Sequence, residues 1–169
     1  MTVGAIAIGQ NGEPIILLND LEKKQVLPIW IGLLEARAIS LAAHKVRSKR
    51  PLTHELLLST IEQLGCNIKE VSIDSIENEA YVASIILGRA EDGAEKIKIS
   101  ARPSDAIAVA ILAGSPIFVD GEILAQSSVA MDGQPDKEQK EFKEFIANLK
   151  ASDFKSSENV ELPDEDYDG

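Results

Sequence analysis

Three short strand-like runs followed by an alanine-rich helical run occur twice in this chain, and that repetition restricts the fold more than any other feature. The first set is "TVGAIAIG", "EPIILL" and "QVLPIWIG", then "LLEARAISLAAHKV". "QNGE" supplies an Asn-Gly hairpin turn, and Pro28 inside the third run cannot donate to a ladder, which puts that strand at an edge or a bulge. The second set is "KEVSIDSI", "EAYVASIIL" and "EKIKISA", then "SDAIAVAILAG" closed by Gly114, with "PIFVDGEIL" after it as a short strand and turn. Between the sets lies "THELLLSTIEQLG", a helix with Leu57, Ile61 and Leu64 on one face and Gly65 just past its end. A shift of 70 residues lays "PIWIGLLEARAISLAA" over "KISARPSDAIAVAILA", so that Glu35 falls on Asp105 and Ala36, Ala38 and Ala43 fall on alanines. The expected fold is α+β: duplicated strand-strand-strand-helix units forming a mixed or antiparallel sheet core packed by helices.

With 169 residues the chain is long enough to bury one core, and aromatics at only 4% make that core aliphatic. A lone cysteine, Cys66, excludes an internal disulfide and a thiolate zinc cluster, and it suits a reducing compartment. "MTVGAIAIGQNGEP" lacks a basic flank, and its apolar run breaks at Gly9, so neither a signal peptide nor a membrane span is expected and the location is read as cytoplasmic. After Met131 the character changes. "DKEQKEFKEFIANLK" forms a C-terminal amphipathic helix with Phe142, Phe145, Ile146 and Leu149 on one side, and the acidic stretch beyond it should be disordered. The expected divisions are a domain over 1–130, a helical extension over 131–155 and an acidic tail over 156–169.

The net charge of −11 opposes a simple nucleic-acid-binding surface, but it is unevenly spread. Residues 1–130 hold 12 basic and 16 acidic side chains, whereas 131–169 hold 5 and 12. The densest basic run, "HKVRSKR" from His44 to Arg50, reads first as a solvated helix end.

That run leads into "RPLTHE", whose grammar returns in "RPSDA". In the first, Pro51 holds Arg50 extended, Thr53 is a good N-cap, and His54 and Glu55 fall in the first turn. In the second, Ser104 is the cap and Asp105 the first-turn acid. Glu35 and Asp105 each head an apolar stripe at helical spacing, so each carboxylate points inward and needs a partner. Backbone capping with a nearby arginine supplies one solution, and a catalytic or metal-binding role supplies the other. His54 is not explained by capping. Beside a positive helix end it is expected to stay neutral, able to accept a proton or bind a metal. No HExxH, zinc-finger spacing, Gly-rich phosphate loop or GxSxG is present.

"LPIWIG" with "EARAI", then "RPLTHELL", then "RPSDAIAVA" with "PIFV", resembles the bifunctional nuclease domain family over roughly residues 1–130. The motif positions are Trp30, Gly32, Glu35, Arg50, Pro51, Thr53, His54, Glu55, Arg102, Pro103, Ser104 and Asp105, with Glu55 standing where the family usually carries aspartate. "EFKEFIANLKASDF" resembles an extension on some bacterial members. The resemblance implies a duplicated α+β fold, a tendency to form a homodimer, and cleavage of DNA and RNA. Two readings follow. In the first, the chain is a nuclease: Arg50 and Arg102, with Thr53 and Ser104, hold phosphate. Asp105, Glu35 and Glu55 then bind a divalent cation (Mg or Mn), and His54 is the general acid or base. In the second, the alternative, the same residues form a structural Arg–carboxylate network in a non-catalytic dimeric adaptor or regulator. The negative charge and the scarcity of aromatics for stacking favour it, while the resemblance, the basic run at 44–50 and His54 favour the nuclease, which is the reading taken.

Overall fold

The computed structural model describes residues 1–9, 11–22, 24–46, 48–89 and 96–130. The C-terminal amphipathic helix and the acidic tail expected from the sequence lie outside the described residues, as does Arg47 of the basic run.

The duplication is present in the element order. β1 (Thr2–Ile8), β2 (Pro14–Asn19) and β3 (Gln25–Trp30) form an antiparallel meander that leads into α1 (Leu33–Ala43). After α2 (Thr53–Gln63), β4 (Cys66–Glu77), β5 (Ala80–Arg89) and β6 (Lys96–Ala101) form a second antiparallel meander that leads into α3 (Pro103–Ala113). Both α1 and α3 have 11 residues, and they begin 70 residues apart, at Leu33 and Pro103. The fold is α+β, with its strands divided between two sheets. The first has the order β1-β2-β3-β8, and the second, mixed sheet has β6-β5-β4-β7, where β7 (Ile117–Val119) runs parallel to β4. β8 (Val129–Ala130) crosses back to pair antiparallel with Gln25 and Val26 of β3, so the end of the second half completes the sheet of the first.

Pro28 lies opposite Leu17 in a regular register, and β8 stops short of it. Among the described residues the far side of Pro28 therefore faces no strand, and the proline marks an edge rather than a bulge. The first hairpin turns at Gly12, whose φ of 80° needs a residue without a Cβ.

One continuous apolar core joins both sheets to the helices. α3 runs through it: Ala106, Ile107, Ala108, Val109 and Ala110 are all buried in consecutive positions, against α1, α2, β4 and β5. Small side chains allow this helix to be enclosed on every side. Ile15, Leu17 and Val26 form a smaller cluster with Ala7 and Trp30.

Three local expectations are corrected. On α2 only Ile61 is buried, while Leu57 and Leu64 are exposed; the inward side runs instead through His54, Leu58 and Ile61. A helix with leucine on most sides gives periodicity little power to choose a face. "DGEIL" is not a turn but opens α4 (Gly121–Ser127), where Asp120 caps the helix by accepting the Glu122 N–H at 2.8 Å. Neither Thr53 nor Ser104 is an N-cap. Leu52 and Arg102 hold those positions, which makes Thr53 the first helical residue and Ser104 a buried second one.

Candidate active site at three helix starts

The N-termini of α1, α2 and α3 each contribute a polar side chain to one cluster. Gly32 is the N-cap of α1 and Arg102 that of α3, so Glu35 and Asp105 occupy the same third position of their helices. Pro103 sits at the first helical position, where its missing N–H costs nothing and its fixed φ suits the helix. That placement leaves Arg102 extended, with ψ at 146°, and able to fold its side chain back over the first turn.

Arg102 reaches Asp105 through two bonds, Nε to Oδ2 at 2.7 Å and Nη2 to Oδ1 at 3.0 Å, and reaches Glu35 from Nη1 to Oε1 at 2.9 Å. His54 Nε2 lies 3.0 Å from Asp105 Oδ1. The cluster is graded in exposure: Arg102 is 65% exposed, Asp105 28%, Glu35 21% and His54 19%. The hydrogen bonds from Arg102, against partial burial and with help from His54, hold the Asp105 carboxyl below its usual range. Asp105 first and Glu35 second push the Arg102 guanidinium the other way. A Cβ at Gly32 would crowd Glu35 Oε2, so a larger residue there would oblige that carboxylate to shift.

The remaining candidates do not join. Glu55 Oε2 turns back to accept the Leu52 N–H at 2.9 Å, half of a capping box. Arg50 is exposed and, among the described residues, makes no hydrogen bond or ion pair. Thr53 is exposed beyond the cluster, and Ser104 is buried next to it. Glu35, Asp105 and Glu55 do not converge as ligands, and among the described residues no group of three or more His, Cys, Asp or Glu is placed to hold a metal ion. The Arg102 guanidinium bridges Glu35 and Asp105.

Sequence reasoning missed the cavity beside the cluster. It measures about 720 Å³ and opens between the start of α1, the tip of the β4–β5 hairpin and the start of α3. Trp30, Tyr81, Ile76, Glu35 and Arg102 line it. Burial pushes the Tyr81 phenol up, opposed by its hydrogen bond with Ser127. Trp30 stood in a family motif, but nothing in the spacing linked it to Tyr81.

Among the described residues no helix is long and apolar enough to cross a membrane. The bifunctional nuclease domain matches residues 16–132. An uncharacterised protein of Mycobacterium tuberculosis is 37% identical over 156 residues, covering 87% of this chain and 92% of its own. "Bifunctional nuclease 2" of Oryza sativa subsp. japonica is 30% identical over 105 residues, 62% of this chain but only 32% of the plant protein. "Bifunctional nuclease 1" of Arabidopsis thaliana is 26% identical over 95 residues, 56% of this chain and 29% of its own. Two strand-and-helix halves with their paired carboxylates, and a domain match running through both, lead to one conclusion: the chain belongs to the bifunctional nuclease domain family.

Proposed function

We propose that this chain hydrolyses phosphodiester bonds of DNA or RNA at the cluster of Arg102, Asp105, His54 and Glu35. The observation that carries the reading is a histidine and a forked arginine sharing one carboxylate. A guanidinium has five N–H donors, and three are engaged here, so the exposed side keeps donors for a phosphate oxygen. Those donors are held in place before the charge on phosphorus develops, which is where a fixed donor contributes most. With Nε2–H donated to Asp105, His54 Nδ1 carries the lone pair that takes a proton from the attacking water. The test is cleavage of short single- and double-stranded substrates by purified protein, with Mg, with Mn and with chelator. The three conditions matter because the Arg102 guanidinium bridges the two carboxylates, and the assay shows whether a metal ion is needed beside it. Folded His54→Ala and Asp105→Asn proteins with full cleavage would reject the reading.

The same hydrogen bonds tie α1, α2 and α3 together, and this favours a second reading in which the network is structural and the protein is a non-catalytic adaptor. Both readings share a homodimer. Leu52, Leu56, Leu57 and Leu64 expose apolar surface along α2. Light scattering should give twice the chain mass of 18.3 kDa, and a monomer at micromolar concentration would reject that part. The single cysteine suits a reducing cytoplasm as the place of action.

A further inference from the structure

The cavity beside Arg102 has a composition that neither catalysis nor helix capping requires. Its wall is apolar and aromatic, from Ile29, Trp30, Ile76 and Tyr81, and its charged groups are Glu35 and Glu79 against the single guanidinium of Arg102. A sugar–phosphate backbone would be repelled from such an interior, because two carboxylates outnumber one cation that is already shared. A neutral, flat, hydrophobic group would not be repelled. At about 720 Å³ the space falls within the range of small-ligand sites and exceeds what a single water or ion needs.

We infer that this cavity takes an unpaired nucleobase, which packs against Trp30 and Tyr81 while its phosphate stays at the rim on Arg102. The inference rests on the proposed action on nucleic acid and narrows it to single-stranded or locally opened substrate. A base inside a duplex cannot enter a walled pocket without leaving its stack. Aromatic stacking tolerates any base, so the site selects strandedness and not sequence. The hairpin tip helps to form the wall: Asn78 and Glu79 both take positive φ, 47° and 64°, in the tight turn that brings Ala80 and Tyr81 over the opening.

Trp30 is the only tryptophan of the chain, so its emission reports this cavity without labelling. Adenosine 5′-monophosphate should change Trp30 emission saturably, and ribose 5-phosphate should not. A single-stranded octamer should bind about tenfold more tightly than the same sequence as a duplex. Ala80→Leu fills the cavity from an exposed strand position and should weaken the nucleotide by about tenfold while the circular dichroism stays unchanged. An equal response to ribose 5-phosphate, equal binding of duplex, or full binding by folded Ala80→Leu overturns the inference. Cleavage measured on the same samples separates it from the nuclease reading. Cleavage without a nucleotide response removes the base pocket alone, and a nucleotide response without cleavage removes the nuclease alone.

Discussion

Arg50-Pro51 and Arg102-Pro103 look alike as sequence and behave differently as structure. Each precedes a hydroxyl residue and an acid at the start of an 11-residue helix, and in each helix the acid, Glu55 or Asp105, is the third residue in. The difference is spacing. Arg102 stands three residues before Asp105, is itself the N-cap, and closes its fork on that carboxylate. Arg50 stands five residues before Glu55, two positions outside the cap, so Glu55 satisfies the Leu52 N–H instead. An i, i+3 pair meets on a helix face, whereas a residue two positions outside the helix has no fixed direction toward it. The same dipeptide thus builds a charged cluster in one place and a plain helix start in the other.

The largest expected effect tests whether that cluster is chemical. Asp105→Asn should lower cleavage by roughly 10²–10⁴ with fold and mass unchanged, because it removes the partner of both His54 and Arg102. A folded variant with ordinary activity would reduce both motifs to helix starts. Next in size is a paired exchange. Arg102→Lys keeps charge but loses the fork and should cost roughly 10² in rate, while Arg50→Lys should leave the rate as it was. Equal losses at the two sites would break the contrast.

A smaller effect is read in acid. The folded Asp105 carboxyl lies below its usual value, held there by Arg102 and His54, so its stabilisation is complete above the unfolded value of about 3.9 and is lost as pH falls through the lower folded one. The wild-type unfolding midpoint should therefore drop below about pH 4, and Asp105→Asn should flatten that limb. A variant with the same acid limb as wild type would show that the pairing does not act on stability. The smallest effect belongs to the other motif. Glu55→Ala removes a capping contact worth about 0.5–1 kcal/mol and should leave cleavage intact, which thermal unfolding and the nuclease assay together check.

Much of this contrast was legible. The 70-residue shift placed Glu35 over Asp105, and both do hold the third position of matching helices. Counting from Arg to acid within each motif, three against five, would also have separated them. What sequence could not supply is reach across the fold. His54 meets Asp105 across 51 residues and Arg102 meets Glu35 across 67, and both contacts depend on α1 and α2 packing on α3. The exposed leucines of α2 were unreadable for a different reason, since a helix apolar on several sides satisfies more than one docking. Trp30 and Tyr81 line one cavity although they lie on strands of different sheets, which no local spacing reveals.

The enclosure of α3 bears on how this protein can change over generations. From Ala106 to Ala110 five consecutive side chains are buried, and alanines alternate with Ile107 and Val109, so a larger residue would have to displace a neighbouring helix or strand. Enlarging side chains along that stretch is therefore costly, and the polar outlet of the helix is confined to its first turn. Arg102 and Asp105 are thereby anchored to the most deeply buried of the described helices. The hairpin tip at Asn78 and Glu79 is exposed and bound by no such constraint. A lineage can therefore alter what enters the cavity by editing the hairpin, while the charged cluster stays where it is.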